Sequence, residues 1–137
     1  MKKIYSVILI IVLMIFSYTG CVSPLMKNYP TEQSKTTWTS KDKKVCFFIE
    51  GKNDFPIYGY IQLDTERIAI IIDMGVQVPL IEVYQREGFV IDGDNYEGKL
   101  LEMWTAKKVK KNSLTVSVDE STYFKKGETI TFYRLDE

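Results

Sequence analysis

"KLLEMWTAKKVKK", residues 99–111, is the stretch on which the fold turns. Leu, Glu, Met, Ala and Lys are good helix formers, and in isolation the segment suits a helix. Its surroundings argue for a strand. Short β-type runs lie on both sides, and Asn112-Ser113 makes a hairpin-like turn into the alternating run Leu114-Thr115-Val116-Ser117-Val118. As a strand, residues 96–109 place Leu100, Trp104 and Ala106 on one side and Leu101, Met103 and Thr105 on the other. That reading makes the whole domain all-β.

Working outward toward the N-terminus, residues 89–91 form a brief run, and residues 78–86 a longer one with Pro79 near its start, where a strand tolerates proline. Residues 67–74 are the most hydrophobic part of the domain. Four of the five residues 68–72 are isoleucine, and β-branching favours a strand there. Residues 57–63 and 45–50 complete the series on that side, divided by Gly51-Lys52-Asn53-Asp54. Toward the C-terminus, Lys125-Lys126-Gly127-Glu128 turns the chain into residues 129–135, which alternate cleanly. About eight short strands at roughly 12-residue spacing predict an antiparallel sandwich or barrel, with neighbours paired as hairpins. Closure hides the edges that an open sheet exposes.

The N-terminus has a different character. Met1-Lys2-Lys3 precedes an apolar run over residues 4–16, followed by Ser17, Thr19, Gly20 and Cys21. A cationic head, an apolar core and a small-residue exit are the layout of a secretory signal peptide. Residues 4–20 are short for a spanning helix, which needs about 20 apolar residues. Tyr18 spoils an ordinary signal-peptidase site. Tyr18-Thr19-Gly20-Cys21 resembles the bacterial lipobox, with Tyr18 in place of the usual aliphatic residue. The resemblance implies cleavage between Gly20 and Cys21, and lipid attachment at Cys21. Two or three acyl chains on one residue anchor stably, where one does not. The expected organisation is a signal peptide over residues 1–20, a lipidated flexible tether over 21–37 and a β-barrel domain over 38–137. The tether holds two prolines and no hydrophobic period.

Composition closes off several functions. The chain has no histidine, which excludes Ser–His–Asp and Cys–His catalysis, HExxH zinc sites and His-bearing metal triads. Two lysines fall in residues 1–20, so the remainder carries 16 basic and 18 acidic residues, a balance of −2 that gives no reason to expect nucleic acid. With Cys21 acylated, Cys46 is an odd thiol, expected as a small buried hydrophobe within Val45-Cys46-Phe47-Phe48-Ile49. "DGDNYEG", residues 92–98, gathers Asp92, Asp94, Asn95 and Glu97, but an EF-hand count from Asp92 puts Tyr96 and Glu97 at positions 5 and 6. A hairpin turn is the better reading, and no metal or cofactor is expected. The basic cluster of residues 107–111 is either a solvated hairpin end or a contact for anionic headgroups.

Thr36-Thr37-Trp38, followed by a run of hairpins to the closing "GETITFYRLDE", is similar to the small lipoproteins of Gram-positive bacteria that carry lipocalin-like, or calycin-like, barrels. The lipocalin G-x-W opening appears here without its glycine. The resemblance implies a small antiparallel up-and-down barrel with an aromatic interior. On that reading Tyr58, Tyr60, Tyr84 and Trp104 are the candidate ligand contacts, although aromatics also fill ordinary cores. A buried Glu82 or Arg86 would require a partner. The expected function is non-enzymatic: a membrane-anchored protein on the extracytoplasmic face of the cell membrane. It would bind a small apolar ligand inside the barrel or an envelope protein on its surface. An inhibitor or immunity-type module is the alternative.

Overall fold

The computed structural model describes residues 28–53, 55–75 and 79–135. Cys21, Gly20 and the signal segment lie outside the described residues. Eight strands close a barrel: β1 (Thr36–Ser40), β2 (Val45–Ile49), β3 (Ile57–Gln62), β4 (Arg67–Met74), β5 (Leu80–Gln85), β8 (Leu100–Lys110), β9 (Ser113–Ser121) and β10 (Thr129–Leu135). Each pairs antiparallel with its neighbour, and β1 closes against both β2 and β10. Between β5 and β8 the short strands β6 (Val90–Asp92) and β7 (Asn95–Glu97) form a separate hairpin. This is an all-β, up-and-down antiparallel barrel, consistent with a lipocalin-like fold.

Residues 99–111 are strand from Leu100 onward, with two bulges against β9 and one against β5. The bulges correct the expected faces. Val83 pairs with Glu102 and Tyr84 with Leu100, so Leu101 is the extra residue. Leu101 is buried and Leu100 exposed, the reverse of a regular alternation that would put Leu100 beside Trp104.

The interior is filled. Inward positions supply Val45, Phe47, Ile49, Ile57, Ile61, Ile70, Ile72, Met74, Ile81, Val83, Leu114, Val116 and Val118, all buried. Across the middle runs a chain of rings. Trp38 stacks on Phe47 at 6.4 Å, Phe47 meets Phe132 edge-on at 5.4 Å, and Phe132 meets Trp104 at 5.6 Å. Phe124, from the β9–β10 connection, packs on Trp104 at 6.2 Å and extends the chain toward one barrel end. Gly59 pairs with Phe47, and a Cβ there would stand 2.3 Å from the Cys46 carbonyl oxygen. Only glycine fits so close an approach.

One carboxylate enters this core. Glu102 is fully buried; its Oε1 accepts the backbone N–H groups of Thr122 (3.1 Å) and Tyr123 (2.9 Å), and its Oε2 accepts the Trp104 indole N–H (3.3 Å). It ties the β9–β10 connection across the barrel end. The buried acid is therefore Glu102, while Glu82 is half-buried and Arg86 exposed.

The folded unit also begins before residue 38. Tyr29 is fully buried and belongs to the core, and a 3-10 turn follows at Pro30–Glu32. Gln33 donates to the Lys111 carbonyl (2.9 Å) and accepts from Arg134 (2.9 Å), while the Asn53 N–H donates to the Thr31 carbonyl (2.9 Å). Residues 29–35 thus strap one end of the barrel. A polar, proline-bearing sequence with one buried tyrosine carries no hydrophobic period, which is why it resembles a tether.

Two substitutions test the filled interior. Phe132→Ala is expected to cost about 3–5 kcal/mol in urea unfolding. Gly59→Ala, which removes no contact, is expected to cost about 1–3 kcal/mol by overpacking.

Candidate binding surface

Strand alternation sends every second side chain to the outer wall, and there the register builds a row. Leu135 pairs with Thr37, Thr37 with Phe48, Phe48 with Tyr58, Tyr58 with Ile71, Ile71 with Tyr84 and Tyr84 with Leu100. The row runs slantwise from the last residue of β10 across β1, β2, β3, β4 and β5 to the first residue of β8. Four of its members are large and exposed: Leu135 at 49%, Tyr58 at 47%, Phe48 at 40% and Leu100 at 37%. Ile71, between two tyrosines, is only 4% exposed, so an outer apolar layer covers the wall itself.

Guanidinium groups cap two of the tyrosines. Arg86 lies 4.7 Å over the Tyr58 ring and Arg67 lies 4.0 Å over Tyr60. Such pairs hold a charged group flat against apolar surface. Cys46 stands beside Tyr60 in the register and is half-buried on this wall rather than in the core. The Val45-to-Ile49 run is apolar on both faces, so sequence alone did not fix which face was inside.

The β6–β7 hairpin forms a second layer over β4 and β5. Asp92 pairs with Asn95 across a two-residue turn in which Gly93 has φ +59°, so "DGDN" makes the hairpin tip. Tyr96 stacks on Phe89 at 5.6 Å, meets Tyr84 edge-on at 5.6 Å and contacts Phe55 at 4.9 Å; Phe89 reaches Tyr84 at 5.4 Å. Gly98 leaves room for the Phe89 ring, which lies 2.4 Å from where a Cβ would stand. Beneath the rings, Asp73 and Glu82 face each other across β4 and β5. Directly opposed like charges repel. Each accepts a phenol: the Tyr96 hydroxyl donates to Asp73, and the Tyr84 hydroxyl donates to Glu82 at 2.8 Å. Val90 and Ile91 remain exposed on the hairpin's outer side.

Of the four candidate ligand contacts, Tyr58, Tyr60 and Tyr84 come together on the outer wall, and Trp104 sits apart in the packed interior. They do not line one pocket. Sequence reasoning missed Phe48 and Phe89 as outer-wall residues, because an aromatic in a β-run reads as core by default, and it missed Phe55 because that residue lies outside every run. A separate surface groove of about 570 Å³ runs past Ser40, Asp42, Phe124 and Tyr133. The Ser40 hydroxyl there is engaged internally, donating to Asp42 (2.6 Å) and accepting from the Val45 N–H (3.0 Å). Among the described residues no group of three His, Cys, Asp or Glu side chains is placed to hold a metal ion. Comparison of the chain with family models, with curated proteins and with solved structures returns no match.

Burial first, and the Glu82 hydrogen bond second, push the Tyr84 phenol up to about 12. Burial and the bond to Asp73 push Tyr96 higher still. A raised phenol pKa favours the neutral form in the folded state. The Tyr84 contribution is therefore complete below about pH 10 and fades as pH rises through about 12. Burial also pushes the Tyr29 phenol up, so an alkaline titration followed by phenolate absorbance is expected to show at least three phenols, Tyr29, Tyr84 and Tyr96, still neutral at about pH 11. Tyr96→Phe removes a bond to a charged acceptor. Hydrogen exchange should show hairpin opening easier by about 1–2 kcal/mol, with the barrel strands unchanged.

Proposed function

We propose that the chain is an exported lipoprotein, anchored through acyl chains on Cys21 at the extracytoplasmic face of the cell membrane. Its barrel serves as a non-enzymatic binding module for an envelope protein. The observation that carries this reading is the outer row of Phe48, Tyr58, Leu100 and Leu135 beside the arginine-capped tyrosines. Aromatic residues and arginine are the groups most enriched in the centres of protein interfaces. Contiguous exposed apolar surface is uncommon on a monomer without a partner.

The interior ring chain weighs against carriage of a small apolar ligand inside the barrel, since Trp38, Phe47, Trp104 and Phe132 occupy the space such a ligand needs. An inhibitor or immunity-type module acting on an envelope or secreted enzyme uses the same kind of surface. A filled barrel with a fixed aromatic and charged patch supports that second reading equally.

The test is native mass spectrometry of the full chain, cross-linked in its own host and purified from the envelope. A stoichiometric protein partner is expected, lost in a Phe48→Ser/Tyr58→Ser double variant that still folds. A retained mass of a few hundred daltons without a protein, or a partner indifferent to both substitutions, overturns the reading.

A further inference from the structure

The basic cluster of residues 107–111 has no role in the outer row, and its place in the fold gives it one. The two barrel ends differ. One end gathers the start of β1, the end of β2, the start of β3, the end of β4, the end of β8 and the start of β9, and the chain enters there through residues 28–35. Lys107, Lys108, Lys110 and Lys111 are at this same end, all exposed, while Val109 between them packs inward against the core. The link to the entering chain is direct: Gln33 donates through Nε2 both to the Asn28 carbonyl (3.0 Å) and to the Lys111 carbonyl (2.9 Å). Lys35 and Lys52 are exposed there too. Among the described residues of this end, the acidic side chains are Glu32, which faces Lys52 at 3.9 Å, Glu50, and the Asp73–Glu82 pair near the end of β4, whose carboxylates accept the Tyr96 and Tyr84 hydroxyls. The end is therefore locally basic on a chain whose total charge is balanced.

We propose that this end is a docking surface for the anionic headgroups of the membrane that holds the protein. The inference rests on lipid attachment at Cys21. Asn28 lies seven positions after Cys21 in the sequence, a reach of at most about 25 Å. The entry end of the barrel is then the end held against the bilayer, and its lysines lie where anionic lipids attract them. Attraction between lysines and an anionic surface falls off within about 8 Å at physiological salt, so it acts only on groups held this near. Contact at this end sets the barrel axis upright, with the outer row rising along the side of the barrel from Leu135, Phe48 and Tyr58 near the membrane to Leu100 at the far end. The partner at the basic end is the phosphate-bearing lipid surface, not a soluble phosphate.

The described residues close the barrel and its core, so a chain of residues 21–137 carrying Cys21→Ser keeps every described contact and has no acyl chain. Sedimentation of this chain with vesicles is the test. Binding is expected to vesicles of about one-third phosphatidylglycerol in phosphatidylcholine and not to phosphatidylcholine alone, with release at high salt. Replacing Lys107, Lys108, Lys110 and Lys111 with Gln is expected to lower partitioning at least about tenfold. Lys125→Gln/Lys126→Gln, at the opposite end, is expected to leave it unchanged. Because all six substitutions are at exposed positions, an unaltered urea midpoint certifies the fold of each variant. Equal binding to both vesicle types, equal loss in the two lysine variants, or release by free glycerol phosphate overturns the proposal. Acylation is read separately, from the intact mass of the full chain made in its host. An unmodified Cys21 overturns the anchoring reading whatever the vesicles show.

Discussion

A barrel of eight short strands has a narrow interior, and the structure depends on filling it. Trp38, Phe47, Phe132 and Trp104 do so with a continuous contact of rings from β1 and β2 across to β10 and β8. Large aromatics bury the most area per residue and add edge and stacking preferences to it. Gly59 gives up its side chain so that β3 can approach Phe47. The wall of isoleucines and valines then closes around the rings, all of them buried, and protein interiors of this kind are normally close-packed.

That filling determines what lies at the ends and on the outside. At one end, Phe124 continues the ring chain and Glu102 holds residues 122 and 123 by their backbone N–H groups. A buried carboxylate is tolerated because three donors meet it. At the other end, Tyr29 and the strap of residues 29–35 cover the core and bring the entering chain beside Lys111. With the interior occupied, the proposed recognition surface is the outer wall. The β6–β7 hairpin thickens that wall over Asp73 and Glu82, where two phenols quiet a repulsive pair. Proposed anchoring and docking surfaces then share one barrel end, and the proposed partner surface runs up the wall from it.

Much of the architecture was legible in the chain. The isoleucine run of β4, the alternation of β9 and β10, and the turn at Asn112 each carry a local signal, and together they exclude a helix at residues 99–111. Position along β8 was less legible, since a bulge leaves no mark in a run of mixed Leu, Glu and Met, and Leu100 and Leu101 exchanged faces. The β6–β7 hairpin was visible as turn chemistry, but its departure from the barrel was not. The candidate surface was legible only in part. Tyr58, Tyr60 and Tyr84 follow from alternation, but inside and outside are equivalent to a strand that is apolar on both faces, as β2 and β3 nearly are. Only closure of the barrel, a non-local event, decides between Phe47 and Phe48.

A barrel filled by these rings holds no room for a ligand. Xenon enters dry apolar cavities and not packed cores, so diffraction from crystals under xenon pressure tests it most directly. The account predicts no xenon among Trp38, Phe47, Trp104 and Phe132. An ordered xenon site within that ring chain contradicts it and returns the function to the interior.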